Sequence, residues 1–528
     1  MATNYKLDSN GTGLRIAEES SLKVLPGTPV WIPAEPNTYP DFGGEITTVA
    51  RNPINASRQR KKGVVTDLDA SGGFSTDLTQ DNLQRLLQGF FFADLRTKGD
   101  LKNAPGVTTL TISVTAATDT FTRVGGTTDL TTLFAADDLV LVGGFSNSAN
   151  NGLFKVNTVA TTNITVFAAD GAETAVTLVD EAATSNAWIV KVGVETAAGD
   201  LDVDMTGSYP ALTSTTLDFT DLDLVVGEWI FIGGDNTATS FQTNATNNGF
   251  ARVRQIAANR LEFDKTQATM VTEANATELI QLFIGRCLKN ETGSLITRRT
   301  YQLERILGKA DTTDTYDQAE YVVGAVPNEF SLNIAAADKV TADLAYVGVD
   351  VEQKTGSEGP KSGTRPTLVE ADAFNTSSDF SRIKLQVHSE TNGNPSALFA
   401  YASDITLTVN NNVVPNKAIG VLGAFDASAG TFEVGGQLTA YFSDVAAIAA
   451  IRANSSVTID AMLVANNKGI AIDLPLITLG DGKLNIEQDQ PITLPLSMTA
   501  ATAASFDTNM DHTMLMVFFD YLPTLADA

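Results

Sequence analysis

The sequence predicts a mainly β protein in which one unit, a β-sandwich flanked by a single α-helix, occurs twice, with two small all-β modules inserted in the first. Three observations predict it. Most of the chain is short Val, Ile, Leu, Phe and Thr runs broken by Gly, Asn and Asp turns; only two stretches have helical periodicity; and internal matches recur in one order.

The strand signal is plainest at Leu110 to Val114, Trp229 to Gly233, Ile405 to Val409 and Ser456 to Val464. Between Thr79 and Leu95 the residues Leu83, Leu86, Leu87, Phe90 and Phe91 fall on one face of a helix, with Thr79 placed to cap it. A second helix is predicted over Ser443 to Arg452, from Val445, Ile448, Ala449 and Arg452.

The repeat is read from order and spacing. Ile46 opens a strand-like run followed by Asp69-Ala70-Ser71 and the first helix; Ile405 opens another, followed by Asp426-Ala427-Ser428 and the second helix, at separations of 23 and 21 residues. Strand-like runs from Arg299 and from Ser456 come next. Leu332-Asn333-Ile334 with Val340-Thr341 is then matched by Leu484-Asn485-Ile486 with Ile492-Thr493.

The first copy is interrupted between Gly106 and Gly285. That interval repeats within itself: Val140-Leu141-Val142-Gly143-Gly144 with Asn150-Asn151-Gly152 recurs as Ile230-Phe231-Ile232-Gly233-Gly234 with Asn247-Asn248-Gly249. The resulting division is 1–105 and 286–351 for the first copy, 106–194 and 195–285 for the inserted modules, 352–394 for a connecting segment and 395–528 for the second copy. The insertion carries 21 acidic and 7 basic residues, so it is expected on the outside, as a decoration the rest does not need.

Bulk properties narrow the function. At 528 residues the chain exceeds one core, and 43% hydrophobic with 18% charged residues makes it globular. A net charge of −27 disfavours wrapping nucleic acid, which needs clustered Lys and Arg, and fits plain solubility or a wall past which DNA slides equally well. The single cysteine, Cys287, excludes a disulfide framework within the chain. No signal peptide or membrane span is read, so synthesis in the cytoplasm is expected.

Catalytic patterns are absent. The only histidines are His388 and His512, nothing around Cys287 marks a nucleophile, and no phosphate-binding, nucleophile-elbow or zinc-helix motif occurs. Asp67, Asp69, Ser71 and Gly72 imitate a calcium loop, but Leu78 stands where the bidentate Glu belongs. Asp200, Asp202 and Asp204 alternate on one strand face, which reads as solvated. No cofactor and no metal is expected. One cluster stands out: Arg51, Arg58, Arg60, Lys61 and Lys62, a basic loop in an acidic protein, which reads either as a solvated turn or, where copies of the chain assemble, as a dock for an acidic surface of the next copy.

Six segments carry a family resemblance: RIAEESSLKVLPGTPVWIPAEPNTY, NPINASRQRKKG, TDLDASGGFSTDLTQDNLQRLLQGFF and QAEYVVGAVPNEFSLNI in the first copy, with ITLTVNNNVVPNKAIGVLGAFDASAGTFEVGGQLTAYFSD and AIDLPLITLGDGKLNIEQDQPITLPLSMTA in the second. Together, over about 1–105 and 290–528, they resemble tail tube proteins of long-tailed phages, with the tube fold duplicated. The resemblance implies a structural, non-enzymatic virion protein in which inner sheets close into a barrel around a DNA channel and loops reach the adjacent ring. It implies homotrimeric, pseudo-hexameric rings stacking head to tail, with a tape-measure protein, tail terminator and tail-tip proteins as partners, DNA only in transit and no membrane. The alternative reading is a decoration or receptor-binding protein that works through the inserted modules.

Overall fold

A computed structural model describes residues 12–39, 41–54, 56, 59–275, 277–309, 315–367, 371–389, 394–399, 401–505 and 509–527. Two long strands, Gln318–Ala335 and Lys468–Asp481, organise each copy, because each belongs to two layers. The first half of Gln318–Ala335 pairs with Tyr301–Gly308 and Asp350–Lys354; its second half pairs with Thr341–Gly348 and Ala402–Asn410. The change of layer falls at Gly324, whose φ of +63° only glycine adopts freely. Lys468–Asp481 repeats the pattern, first between Val457–Ala465 and Leu515–Phe519, then beside Thr493–Ala500.

The inner layer is one continuous antiparallel sheet of eight strands. Its order is Pro36–Thr38 continued by Phe42–Arg51, then Lys61–Asp77, Thr341–Gly348, Gln318–Ala335, Ala402–Asn410, Glu433–Tyr441, Thr493–Ala500 and Lys468–Asp481. Numbered along the chain, each copy contributes its strands in the spatial order 1-2-4-3. The duplication is therefore explicit in topology. The outer layers correspond as well: Gly13–Glu18 flanks Tyr301–Gly308 as Phe380–Val387 flanks Val457–Ala465.

Helix α1 is Gln84–Phe91 and helix α2 is Ala446–Arg452. Both begin later than their periodicity predicts. Thr79 does not cap α1; its hydroxyl accepts from the Asn82 N–H at 3.3 Å, closing the turn before the helix. The predicted face of α1 is the buried one: Phe90 packs on Phe330 and Tyr346, with centroids 6.1 and 5.2 Å away. Phe91 meets Phe432 of the second copy at 5.9 Å, and one apolar cluster runs through both copies. Gly89 permits this approach, since a Cβ there would lie 2.7 Å from the Tyr301 hydroxyl.

The residue matches behind the repeat divide. Asn333 pairs with Thr341 and Asn485 bridges Thr493, so that match superposes. The Asp-Ala-Ser match does not: Asp69 to Ser71 sit inside the long strand Lys61–Asp77, whereas Asp426 to Ser428 close a separate hairpin, Val414–Lys417 with Ala424–Ser428. The strand corresponding to Lys61–Asp77 is Glu433–Tyr441.

The insertion forms one sheet of two related halves joined where Trp188–Glu195 pairs with Gln281–Phe283. Its Asn-Asn-Gly repeats are loop staples. Asn150 donates to Val179 O and Glu181 at 2.9 and 3.0 Å while accepting from the Val179 N–H at 2.9 Å. Asn247 does the same with Val271 O and Glu273 at 3.0 and 2.7 Å, accepting from the Val271 N–H at 2.8 Å. Both asparagines are buried, so Asn150→Ala and Asn247→Ala should each cost ~1–3 kcal/mol through stranded partners, measured by urea unfolding.

The expectation of a dispensable exterior decoration is corrected by what the insertion covers. Leu139, Val192, Trp229, Phe231, Phe250 and Phe283 pack against Met462, Val464, Ala471, Leu515, Val517 and Phe519 of the second copy's outer sheet. The acidic count was misleading because the apolar half of the same strands turns inward. In the first copy the equivalent outer face is closed differently, by Trp31 against Tyr321, 5.6 Å between centroids, under the segment that carries Arg365.

Candidate assembly surfaces

Three surfaces of the two-copy sheet are left uncovered by the described residues, and a buried polar network joins the insertion to the second copy. The network lies where the insertion meets the second copy. Arg252, fully buried, reaches Asp264 and, at 3.0 and 3.1 Å, both carboxylate oxygens of Asp473. Burial works against that guanidinium charge, and the two carboxylates outweigh it. Lys265 donates to Thr458 at 2.6 Å and lies 3.5 Å from Asp460, which Arg382 also holds. Burial, aided by Arg252, brings Lys265 down to about 7. Nothing local signals this network, since Arg252 and Asp473 lie 221 residues apart.

His512 sits at the same junction, its ring against Gly227, where a Cβ would lie 2.3 Å away. Neither ring nitrogen has a hydrogen-bond partner among the described residues. Burial, with Lys289 and Arg252 nearby, lowers it to about 3. A folded value below the unfolded one makes this contribution complete above about pH 6.5 and lost as the pH falls toward 3, at about 1.4 kcal/mol per unit. The urea midpoint is expected to fall between pH 6.5 and 4, and His512→Gln to flatten that dependence whatever its effect at neutral pH.

The first surface is the face of the inner sheet that turns away from the core. Along its strands Phe74, Leu344, Leu332, Leu407, Leu438 and Leu496 point into the core, and the alternating positions point out. The outward set, read over 71–77, 329–335, 341–347, 404–410, 433–441 and 493–499, holds Asp77, Glu329, Asp343, Asp404 and Glu433 and no Lys or Arg. The remainder is mainly Ser, Thr, Asn and Gly, tied across strands by contacts such as Asn333 to Asp343 at 2.8 Å and Ser331 with Thr408 at 3.0 Å.

The second surface is a pair of arms at one end of the sheet. Beyond Ala70 the strand Lys61–Asp77 loses Thr341–Gly348 as a neighbour, and only its hairpin with Phe42–Arg51 continues. Ile46, Val49, Val64 and Val65 on this stem are more than half exposed. Arg51, Arg60, Lys61 and Lys62 are exposed at its tip; Arg58 lies outside the described residues. Arg51 stands directly opposite Lys61, a like-charge pair that destabilises the hairpin by itself. None of these four forms an ion pair with another described residue. The second copy's arm, the Val414–Ser428 hairpin, leans back so that Lys417 bridges Asp67 and Asp69. That bond holds the Asp67 carboxyl below its ordinary value and explains both acids of the calcium-like loop without a metal.

The third surface is the pair of sheet edges. Among the described residues, Pro36–Thr38 pairs only with Lys61–Asp77, and the end of Lys468–Asp481 pairs only with Thr493–Ala500. Both leave one side open.

The remaining candidate residues do not converge. Asp200 accepts from Ser214, Thr215 and Thr216, Asp202 from Asn275 and Asp204 from Arg260, so the three acids cap separate loops. Among the described residues no group of three or more His, Cys, Asp or Glu is placed to hold a metal. Cys287 is buried, and desolvation pushes its thiol well up, away from the reactive thiolate. No described helix is long and apolar enough to cross a membrane.

Comparison with known families agrees with this geometry. A family described as phage tail tube protein matches the chain twice, over residues 9–249 and 190–500, so the two matches overlap inside the insertion. No curated protein matches the chain.

Proposed function

The chain belongs to the phage tail tube protein family and is a structural component of the virion tail, and from that premise we propose how it builds the tube. Three chains close into a ring, their inner sheets joining edge to edge into a barrel, and rings stack head to tail around the channel that conducts DNA from capsid to host. The observation that carries this reading is the eight-stranded inner sheet, in which the two copies already stand side by side as neighbours with one strand order and both outer edges open. An isolated sheet of this length would leave two edges unpaired; closing it with further chains satisfies both. Two copies per chain make three chains the equivalent of six tube units.

The outward face of that sheet supports the channel. It is polar and carries five carboxylates, and a neighbouring cation, Lys339, is held by Asp77 at 2.7 Å, so DNA passes with little of the counterion exchange that makes protein–DNA contacts tight. Axial contact falls to the arms: the basic tip of Arg51, Arg58, Arg60, Lys61 and Lys62 meets the opposite end of a chain in the next ring, where Asp404, Asp444 and Asp489 are exposed. A tape-measure protein inside the lumen and terminator and tip proteins at the ends complete the assembly. We divide the chain as its sequence suggests, with 1–105 and 286–351 as the first tube unit, 395–528 as the second and 352–394 connecting them. Electron cryomicroscopy of the tail tests the reading: three chains per ring are expected, and six full chains per ring would sink it.

A further inference from the structure

The chain contains, once, the junction that ring closure must repeat. Inside it, the last part of Gln318–Ala335 in the first copy pairs with the first strand of the second, with Leu332 opposite Leu407, Ile334 opposite Ile405 and Ala335 opposite Asp404. The strand runs on to Ala335 because that partner is present, and both isoleucines are buried, at 6% and 2% exposure.

In the second copy the equivalent strand stops at Asp481, although the sequence goes on identically in kind, with Leu484-Asn485-Ile486 standing where the first copy has Leu332-Asn333-Ile334. Asn485 is already in register: its N–H donates to Thr493 O at 2.8 Å and its carbonyl accepts from the Thr493 N–H at 3.2 Å. Leu484 packs on the core, yet Ile486 is 68% exposed, against 6% for Ile334. What is missing is a neighbour on the open side. The edge that corresponds to Ala402–Asn410 is the first copy's own first strand. Phe42 faces Gly72 as Leu407 faces Gly436, and Thr38 faces Ser75 as Asp404 faces Thr439.

We propose that Gly482 to Glu487 is a strand completed only by assembly: it pairs antiparallel with Thr38 to Phe42 of the neighbouring chain, Leu484 opposite Phe42 and Glu487 opposite Thr38, and covers Ile486. The inference rests on the ring reading and adds the register and the order of events. Before closure the protomer presents poor templates. Asp481 and Gly482 hold positive φ values of 60° and 78°, and Pro36 lacks an N–H on the other edge. Free chains therefore avoid random edge pairing, and the strand forms only against the matching edge.

Hydrogen exchange on the unmodified protein, as protomer and as tail tube, tests this directly. The amides of Leu484 and Ile486, which face the open side, should exchange at least tenfold more slowly in the tube, whereas those of Gly482 and Asn485 already donate to Pro495 O and Thr493 O in the protomer. Thr38→Cys with Glu487→Cys should cross-link chains into covalent trimers on oxidation, which neither single variant does, with Cys287 buried and silent. Tubes built of trimeric rings in which Leu484 and Ile486 exchange as in the protomer, with no 38–487 cross-link, overturn the inference and leave the ring reading intact. Rings that do not contain three chains overturn the reading, and this inference with it.

Discussion

Replacing residues 106–285 by a short flexible linker is expected to produce an insoluble chain, not a slimmer tube protein. The linker itself would cause no strain, because Arg96 and Cys287 are bridge partners and hold the ends of the insertion together. What fails is the second copy. Met462, Val464, Leu515, Val517 and Phe519 would stand bare on its outer sheet, each forfeiting on the order of 1.5–3 kcal/mol of burial. Asp473 would lose Arg252, and Asp460 would lose Lys265. A point variant isolates the polar part. Arg252→Ala removes the guanidinium that joins Asp264 to Asp473, leaving Lys265 alone near both, and should cost ~3–5 kcal/mol. Arg252→Met with Asp473→Leu should recover most of that loss, since an apolar pair needs no desolvation repaid. Soluble fraction and urea midpoint report both, and a deletion chain that stays soluble and monodisperse would refute the account of the insertion as the cover of the second copy.

Replacing Arg58, Arg60, Lys61 and Lys62 by Ser is expected to abolish tube polymerisation while the protomer keeps its stability. The fold has little to lose. The described members of this cluster are exposed, without ion pairs to other described residues, and the like-charge pair of Arg51 and Lys61 is relieved. Assembly has much to lose, because the stem below the tip is a two-stranded hairpin, about 25 Å long beyond the sheet at ~3.4 Å per residue, with its valines in water. Opposite charge on the next ring would steer it into register, and the same steering should weaken in high salt. Thermal unfolding should match the parent within about 0.5 kcal/mol, and micrographs should show rings or protomers without tubes. Tubes of normal length from this variant would assign the axial contact elsewhere.

How far the residues alone lead can be judged element by element. The face of α1, the strands around Ile405 and Ser456, and the doubled unit follow from periodicity and order, because burial on one side imposes a period that any single stretch displays. The face predicted for α2 does not hold: Val445, Ala449 and Arg452 are exposed, and Ala447 and Ala450 are the buried residues, because so short a helix of small residues turns whichever side the sheet leaves room for. Helix starts slipped by several residues because the turn at Thr79 and Asn82 satisfies its own donors before the helix begins. The Asp-Ala-Ser match misled, since similar turn-forming residues serve a long strand in one copy and a small hairpin in the other. Of the basic cluster, its position on an exposed loop was legible; the arm beneath it was not.

What the sequence by itself determined is the mainly β character, the duplication and the repeat within the insertion. Each is a local or periodic property carried by neighbouring residues. The tertiary structure alone decided that the insertion covers the second copy, that the copies share one inner sheet, and which of the 62 acids face away from the core on that sheet. The physical reason is separation along the chain. Arg252 with Asp473, Lys417 with Asp67, and the strand pair at Leu332 and Leu407 are set by which faces remain uncovered once the strands have paired, and that is a property of the whole fold.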